Sequence, residues 1–433
     1  MRYHSTNSRA ISVDLRQAVM RSMAGDRGVY MPDSIPVLPK ALFNNISEMS
    51  LAEIAYVAGS VLFGDDIPRE IINDIVKETL NFEIPLVRVD ENIWALELFH
   101  GPTGSFKDVG ARFMARLIKR YLEDSDRSDS KISILVATSG DTGFAVARSF
   151  AGIKNLNVFI FHPKEKLLRV PKDDFLTSAG NIYPVAVRGS FDQCQRLVTE
   201  AYFDPEITRR LNLTSANSLN IARLLPQTFY FFHAYARLIE AGVETSDFVL
   251  STPCGNLGNL TAALFAKQMG LPVGKILAAG RGTERLWGDV IEGRLSVNHF
   301  NQKSLSTNLS RINLLMERNP RLASIVSCHT YDEACTDDLI CKMFDRSEYL
   351  MDRNSAMACK ALKDEIKPGE AGVFLATATP TKYKKHLTEI LGDDIPLDRY
   401  PSPIKTDISV AVKEATIQPK IESLRNLLLQ HNV

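Results

Sequence analysis

The sequence predicts an α/β protein in which parallel sheets follow a mostly helical N-terminal domain. From residue 130 onward, short runs of apolar and β-branched residues alternate with helical stretches, and turns that contain glycine join them. This order is typical of parallel βαβ units with right-handed crossovers. Such sheets bind ligands beyond the carboxyl ends of their strands, so we expect a site in the turns that follow strands.

The elements are assigned in chain order. Residues 1–85 have helical patterns, with turns at Pro32–Pro36 and Gly64–Pro68, and predict an accessory domain without a reactive cluster. The predicted strands are Ile132–Ala137, Leu156–Phe161, Ile182–Val187, Phe248–Thr252, Ile276–Ala279 and Val373–Ala376. The predicted helices are Phe144–Phe150, Phe191–Tyr202, Ile221–Ile239, Leu260–Met269 and Lys382–Leu391. Residues 281–350 are irregular and polar, and residues 401–433 predict a linker followed by a helix.

Composition and charge exclude several classes of protein. Lys plus Arg and Asp plus Glu number 51 each among 433 residues, so the net charge of zero gives no reason to expect nucleic-acid binding. Apolar residues make up 45 % and charged residues 24 %, as in soluble globular proteins. The chain opens without a signal-peptide core and lacks the run of about 18 apolar residues that a transmembrane helix needs. We therefore expect a cytoplasmic protein without a membrane partner.

The six cysteines predict neither a metal site nor a redox motif. They form no C-x-x-C pair, and their spacing lacks the paired ligands of a zinc site. We interpret them as reduced thiols in packed positions. They are Cys194, Cys254, Cys328, Cys335, Cys341 and Cys359.

The segment Leu98–Ala111, LFHGPTGSFKDVGA, contains Lys107, a candidate for covalent chemistry. Lys107 follows a Gly-Pro-Thr-Gly-Ser turn and precedes a helical run. A desolvated lysine beside small residues can form a Schiff base with a cofactor. On this segment alone, a solvated surface lysine is the alternative.

The segment Ala137–Gly143, ATSGDTG, directly follows a predicted strand. Its backbone N–H groups and the hydroxyls of Thr138, Ser139 and Thr142 can bind a carboxylate or phosphate at a helix N-terminus. The alternative is a structural turn in which Asp141 or Thr142 only caps the next helix.

Two other segments also follow strands. In Thr252–Asn259, TPCGNLGN, the glycines Gly255 and Gly258 allow the backbone to approach a phosphate closely, although neither the Rossmann nor the P-loop pattern is present. Leu375–Pro380, LATATP, ends a strand, and the hydroxyls of Thr377 and Thr379 are placed to meet a ring nitrogen. A structural glycine turn and strand-end capping are the respective alternatives.

The segment Ser215–Arg223, SANSLNIAR, concentrates amide and hydroxyl groups ahead of an arginine. The planar guanidinium of Arg223 can bind a phosphate through two N–H groups. The alternative is a helix capped by Asn217 or Ser218, with Arg223 facing solvent.

Together these five segments resemble threonine synthases, which are fold-type II pyridoxal-phosphate (PLP) enzymes with tryptophan synthase β-like α/β domains. The resemblance extends over nearly the whole chain and is closest to the longer bacterial branch, which has an extra N-terminal domain. Matches to that branch also include YHSTN at Tyr3–Asn7, DRGVYMP at Asp26–Pro32 and ELFHGPTGSFKD at Glu97–Asp108. The resemblance implies a PLP-dependent catalytic region over residues 86–400, with its smaller subdomain at roughly residues 130–240.

The resemblance also implies a role for each matching position. Lys107 would bind PLP covalently, Asp141 would lie near the ring hydroxyl of the cofactor, and Thr377 would face its pyridine nitrogen. The loop for the cofactor phosphate would be Gly255, Asn256, Leu257, Gly258 and Asn259. The positions for the α-carboxylate of the substrate would be Thr138, Ser139 and Thr142. The positions for the phosphate of the substrate would be Asn217, Ser218 and Arg223.

These roles imply a carbon–oxygen lyase that converts O-phospho-L-homoserine and water into L-threonine and phosphate. The expected partner is a phosphorylated amino acid, because only such a substrate requires a phosphate site in addition to that of the cofactor. Both a monomer and a homodimer are compatible with the sequence.

Several segments depart from the family pattern. Where the family has an acidic residue, a proline, a histidine and a small residue, this chain has Asp352–Ser355. Within this segment we expect Arg353 to be an additional anion ligand. Thr379 replaces the histidine of a T-A-H-P turn, and the segments Lys164–Asp174 and Arg281–Arg285 also differ. These departures leave open a diverged PLP lyase or β/γ-replacement enzyme with another amino-acid substrate or nucleophile. A catalytically silent binding or regulatory subunit is a further alternative, against which the retention of Lys107 counts.

Overall fold

The computed structural model describes residues 1–124, 131–164, 180–243, 247–281, 307–404 and 414–431. Within these ranges the chain forms a small antiparallel sheet near the N-terminus and two larger sheets, both flanked by helices.

The N-terminal region combines four helices with a three-stranded sheet in the order β2-β1-β3. The strands are β1 Tyr3–Ser5, β2 Ser12–Val13 and β3 Tyr30–Pro32. The helices are α1 Leu15–Arg21, α2 Lys40–Asn45, α3 Leu51–Phe63 and α4 Arg69–Thr79. The predicted helices are present, but the sheet was not expected, because strands of two or three residues are too short to show an alternating pattern.

The larger sheet has, within the described ranges, six strands in the order β12-β11-β10-β13-β5-β4. They are β4 Leu86–Asp90, β5 Ile93–Glu97, β10 Phe248–Pro253, β11 Val273–Ala279, β12 Val326–His329 and β13 Gly372–Ala376. All neighbouring pairs are parallel except β4 and β5, which form an antiparallel hairpin. The helices that accompany this sheet are α5 Lys107–Glu123, α10 Thr228–Glu240, α11 Gly258–Gln268, α12 Thr307–Arg318, α13 Arg321–Ile325, α14 Glu333–Ser347, α15 Arg353–Glu365 and α16 Lys384–Leu391.

The smaller sheet has five described strands in the order β14-β8-β7-β6-β9, and each neighbouring pair is parallel. They are β6 Ile132–Ala137, β7 Leu156–Pro163, β8 Ile182–Val187, β9 Asn212–Ser215 and β14 Ala415–Ile417. The remaining helices are α6 Asp141–Phe150, α7 Phe191–Ala201, α8 Pro205–Arg210, α9 Ile221–Leu224 and α17 Ile421–Gln430.

All six predicted strands lie within strands of these two sheets, so the predicted parallel α/β class is confirmed. The predicted C-terminal helix is α17, and the unexpected strand β14 precedes it and pairs with β8. Buried leucines of α17, Leu424 and Leu428, belong to the same apolar cluster as the strands of the smaller sheet. The division into residues 1–85, 86–400 and 401–433 stays a prediction.

The parallel strands place three of the predicted turns at carboxyl ends of the sheets. β6 ends at Ala137, β10 ends at Pro253 and β13 ends at Ala376, each directly before or within a predicted site segment. The turn before α5 joins them, because the backbone N–H of Phe106 donates to the carbonyl of Thr377 at 3.0 Å. The turns that follow the strands thus surround one cavity.

Candidate active site

The cavity between the strand ends has a volume of about 190 Å³ and is lined by segments from both larger sheets. The predicted site residues that line it are Lys107, Asp141, Thr142, Asn217, Ser218, Arg223, Gly255, Asn256, Gly258, Asn259 and Thr377. Three other predicted residues, Thr138, Ser139 and Leu257, are not among its lining residues. Segments far apart in the sequence therefore meet at one site, as the motifs predicted.

Lys107 is the first residue of α5 and lies at the cavity wall. Its Nζ atom is 4.1 Å from the centroid of the Phe106 ring. The pKa of Lys107 is lowered from 10.5 to about 8; burial is the largest cause, Asp141 opposes it, and the nearby cations Arg223 and Lys382 add to the lowering. A lysine with this pKa has a much larger neutral, nucleophilic fraction at neutral pH than an ordinary lysine.

The turn ahead of Lys107 is fixed by the next residue of the helix. The carboxylate of Asp108 accepts hydrogen bonds from the backbone N–H and the hydroxyl of Thr103, both at 2.8 Å. Gly104 adopts a positive φ of 62°, which glycine reaches without strain. These contacts hold the start of α5, and with it Lys107, against the carboxyl end of β13.

In the ATSGDTG turn, the hydroxyl of Thr138 stabilises the turn itself. It accepts from the N–H groups of Gly140 at 3.0 Å and Gly143 at 2.8 Å and donates to the carbonyl of Gly140. Ser139 is exposed, and Thr142 lines the cavity. Thr138 and Ser139 as direct ligands of a carboxylate stay a prediction, to which this geometry adds a structural role for Thr138.

Asp141, at the start of α6, carries a negative charge to the cavity. Its carboxylate accepts from the ammonium of Lys382 at 2.9 Å, and both side chains are largely buried. Lys382 lies in the short turn Pro380–Tyr383 after the LATATP segment. The ion pair therefore joins the smaller sheet to the turn that follows β13.

The CGNLGN loop ends at the N-terminus of α11, where N–H groups and the helix dipole favour an anion. Leu257 precedes the helix with a φ of 57°, a left-handed conformation that is uncommon for leucine. A Cβ atom placed on Gly255 meets nothing within 4 Å, so the structure leaves open space beside this loop. The hydroxyl of Tyr230 donates to Oδ1 of Asn259 at 2.6 Å and fixes that side chain.

Arg223 brings a positive charge to the cavity although it is only 4 % exposed. Its NH1 group donates to the carbonyl of Lys107 at 3.2 Å, and its Nε atom is buried without a hydrogen-bond partner in the described part of the chain. Burial lowers the pKa of Arg223 to about 10, which still leaves it charged at neutral pH. A buried cation with an unused donor is suited to bind an anion.

Asn217 and Ser218 flank this arginine. The side-chain amide of Asn217 binds both backbone groups of Ala137, accepting at 3.0 Å and donating at 2.9 Å, so it fastens this segment to the end of β6. The hydroxyl of Ser218 accepts from Asn308 at 2.9 Å. Both residues line the cavity together with Arg223.

Residues around β13 show what the departures from the family pattern do. The N–H of Thr377 donates to the hydroxyl of Ser355 at 3.1 Å, and Asp352 caps α15. Thr379 is fully buried, and its hydroxyl donates to the carbonyl of Pro401 at 2.6 Å. The expectation that Arg353 adds an anion ligand is wrong, because salt bridges to carboxylates of α14 already hold its guanidinium.

Sequence analysis missed several residues at the site. Asn308 and Arg311 lie in the segment that received no assignment, and Lys382 meets Asp141 only after folding. Cys254 lines the cavity, and burial raises the pKa of its thiol to about 12, so it is protonated at neutral pH. All six cysteines have free thiols, in agreement with the prediction.

Comparisons with known proteins identify the family of this chain. A family model described as "Threonine synthase N terminus" matches residues 2–80, and one described as "Pyridoxal-phosphate dependent enzyme" matches residues 78–378. A threonine synthase from Haemophilus influenzae is 38 % identical over 397 residues, which are 89 % of this chain and 90 % of the relative. The chain belongs to the threonine synthase family. Another threonine synthase, from Escherichia coli, is 33 % identical over 439 residues that span 100 % of both chains.

Solved structures of threonine synthases have the same fold. The Escherichia coli threonine synthase superimposes with a TM-score of 0.88 at 32 % identity and 100 % coverage of both chains. A PLP-bound threonine synthase from Brucella melitensis superimposes with a TM-score of 0.82 at 25 % identity, covering 100 % of this chain and 99 % of that one. The predicted family, the fold-type II class and the cofactor PLP are thereby confirmed.

The residues of this cavity fit PLP. The open space beside Gly255 and the α11 N-terminus suit a phosphate, and Lys107 supplies an amine of lowered pKa to the same cavity. The differing segments Lys164–Asp174 and Arg281–Arg285 lie, apart from the first residue of each, outside the described residues. None of the described helices is both long and apolar enough to span a membrane.

Proposed function

We propose that this chain converts O-phospho-L-homoserine and water into L-threonine and phosphate, with PLP bound to Lys107. Beyond family membership, one observation supports the substrate: the buried, charged Arg223 lines the cavity that also contains Lys107, and its Nε atom has no hydrogen-bond partner among the described residues. The loop at residues 255–259, of which all but Leu257 line that cavity, would be a separate anion site. One anion site serves the phosphate of the cofactor, and the second serves the phosphate of the substrate.

PLP, when bound, supplies a conjugated ring that withdraws electrons from the α-carbon of the substrate. Lys107 has the lowered pKa that a general base needs, so its amine removes the proton from the α-carbon, and a second proton leaves the β-carbon as the phosphate departs. The γ-carbon and, after water has added, the α-carbon then each gain a proton. Arg223, with Asn217 and Ser218, binds the phosphate and stabilises it as it leaves the γ-carbon. Water then adds its oxygen at the β-carbon, so one carbon–oxygen bond is broken and one is formed.

The other residues bind and orient. Thr142 and the N-terminus of α6 would bind the α-carboxylate, and Asp141, held by its ion pair with Lys382, would orient the ring hydroxyl side of the cofactor. Thr377 would present a neutral hydroxyl to the ring nitrogen. Because a hydroxyl does not enforce protonation of that nitrogen, as a carboxylate would, it moderates the electron withdrawal.

The experiment that tests this proposal measures phosphate release from O-phospho-L-homoserine by PLP-loaded protein and identifies the organic product in the same tube. Threonine and phosphate in equal amounts are expected. Phosphate together with 2-oxobutanoate would instead identify an eliminating enzyme. Loaded protein that releases no phosphate from this substrate would overturn the proposal.

A variant of Arg223 tests the assignment of the phosphate site. Arg223→Lys keeps the charge but loses the planar fork, so we expect the KM for O-phospho-L-homoserine to rise by about tenfold or more. Arg237→Lys is the matched control, because Arg237 also donates to backbone carbonyls, those of Ser47 and Met49, but does not line the cavity. Equal KM values in both variants would refute the role of Arg223.

The cellular setting is also a proposal. We propose a cytoplasmic enzyme whose partner is a small phosphorylated amino acid and which has no nucleic-acid partner, in line with its balanced charge. Monomer and homodimer both stay open. Size-exclusion chromatography with light scattering distinguishes these two states.

A further inference from the structure

Helix α12 connects the active-site cavity with the N-terminal sheet. Its second residue, Asn308, and its fifth, Arg311, are both fully buried. At the other end of the helix, Arg318 donates to the carbonyl of Pro32 at 3.0 Å and contacts Nε2 of His4 at 2.9 Å. Neither Asn308 nor Arg311 lines the cavity, so their influence on the site acts through the residues they contact.

The side-chain amide of Asn308 contacts both predicted phosphate sites. Its Nδ2 group donates to the carbonyl of Asn256 at 2.8 Å, within the loop for the cofactor phosphate. The same nitrogen donates to the hydroxyl of Ser218 at 2.9 Å, within the segment for the substrate phosphate. An amide nitrogen carries two hydrogens, so each segment receives one of them.

Arg311 fixes the orientation of this amide. Its NH1 group donates to Oδ1 of Asn308 at 2.9 Å, which requires that the oxygen face Arg311 and the nitrogen face the two loops. The guanidinium also donates to the carbonyls of Ser218 at 3.0 Å and of Tyr30 at 3.1 Å. Burial lowers the pKa of Arg311 to about 9, so it stays charged at neutral pH.

The bond to Asn256 has a particular consequence for the backbone. Because peptide groups are planar, binding the carbonyl of Asn256 fixes the whole peptide plane that leads into Leu257. Leu257 is held in the left-handed conformation at the start of α11, and a residue in that region persists only when its surroundings constrain it. Asn308 is one such constraint.

We propose that Asn308 is a positioning residue that holds the cofactor-phosphate loop and the substrate-phosphate segment in fixed relation, so that one substitution weakens both phosphate sites. This inference rests on the proposed function, because it takes those two segments as the phosphate sites. It assigns no chemical step to Asn308. It predicts instead that binding of the cofactor and of the substrate depend on the same side chain.

Asn308→Asp is the most informative variant. The carboxylate keeps the size of the side chain and still accepts from Arg311, but it loses both donors and adds a negative charge next to two anion sites. We expect the Kd for PLP and the KM for O-phospho-L-homoserine each to rise by about tenfold or more. Asn308→Ala removes the donors without adding charge, and we expect increases of about fivefold in both constants.

Two comparison variants separate positioning from general loss of stability. Ser218→Ala removes only one of the two contacts of Asn308, so the KM should rise while the Kd for PLP stays within about twofold. Asn181→Ala is the matched control, because Asn181 does not line the cavity but its side-chain amide also binds backbone groups. It accepts from the N–H of Gly152 at 2.9 Å and donates to the carbonyl of Phe150 at 3.0 Å. This variant should lower the melting temperature without changing either constant.

The measurements are PLP titration of the apoprotein, followed by its visible absorbance, and initial rates of phosphate release. A rise in both constants for Asn308→Asp and Asn308→Ala, absent in Asn181→Ala, supports the inference. If either Asn308 variant binds PLP with the affinity of the unaltered protein, the inference is overturned. The PLP titration does not depend on the product, so an organic product other than threonine refutes the proposed function and leaves this test intact.

Discussion

The lowered pKa of Lys107 predicts how fast the apoprotein takes up PLP at different pH values. Only the neutral amine attacks the aldehyde of the cofactor. With a pKa of about 8, about one Lys107 amine in ten is neutral at pH 7, whereas a lysine with a pKa of 10.5 is neutral in about one molecule in 3,000. The structure therefore predicts a neutral fraction about 300-fold larger than that of an ordinary lysine.

The assay is stopped-flow mixing of apoprotein with PLP between pH 6 and pH 9.5, with the visible band as the signal. The rate constant should rise about tenfold per pH unit at low pH and level off above about pH 8, because the neutral form then dominates. Nα-acetyllysine amide is mixed with PLP under the same conditions as a model amine. Dividing the rate for the apoprotein by the rate for this amine removes the pH dependence that comes from the titration of PLP itself. Lys107→Ala should give no such band.

The pH at which this ratio begins to fall decides the matter. A lysine of ordinary pKa would react in proportion to the free amine across the whole range, and the ratio of the two rates would be constant. A constant ratio up to pH 9.5 would refute the argument that burial and the neighbouring cations lower the pKa of Lys107. A ratio that is constant below about pH 8 and falls by up to about tenfold per pH unit above it confirms the argument.

Three substitutions test other parts of the site. Gly110→Ala places a Cβ atom 2.5 Å from the carbonyl of Arg223, so the free energy of unfolding measured in urea should fall by about 1–3 kcal/mol and the KM should rise. Gly25→Ala is the control, because a Cβ atom there meets nothing within 4 Å, and it should change neither quantity. Gly255→Ala should leave the melting temperature of the apoprotein unchanged and weaken PLP binding by about tenfold, because its methyl group enters open space that the cofactor needs; unaltered PLP affinity would contradict this. Arg353→Ala should lower the free energy of unfolding by about 1 kcal/mol and leave the KM within about twofold, and a large KM increase would restore Arg353 as an anion ligand.

The parts of the site that follow directly after strands could be predicted from sequence. Gly255 and Thr377 lie in turns that follow strands, and Thr142 lies in the first turn of α6; because the strand, turn and helix pattern is local, the order of the chain alone places them at a sheet edge. Family motifs then supplied Arg223 and Lys107. Their shared cavity confirms that these turns converge, as parallel topology requires.

Contacts between distant segments could not be predicted in this way. Asn308 meets Ser218 across 90 positions and Lys382 meets Asp141 across 241 positions, and neither pair belongs to a local pattern. Thr138 shows that a local pattern can also have two interpretations. Its hydroxyl is suited to bind a ligand, but in the structure it accepts hydrogen bonds from N–H groups of its own turn. The sequence alone does not show which of several nearby donors and acceptors a side chain binds, because the fold determines which of them come within hydrogen-bond distance.

The strand β14 has a consequence for the order in which the protein is made. Its partner in the smaller sheet, β8, ends at Val187, and β14 begins only at Ala415, 228 positions later in the chain. Until those residues leave the ribosome, the edge of β8 has unpaired N–H and C=O groups, and the apolar cluster around Val185 lacks Leu424 and Leu428 of α17. The nascent smaller sheet thus has an open edge, which can pair with other strands, during about half of synthesis.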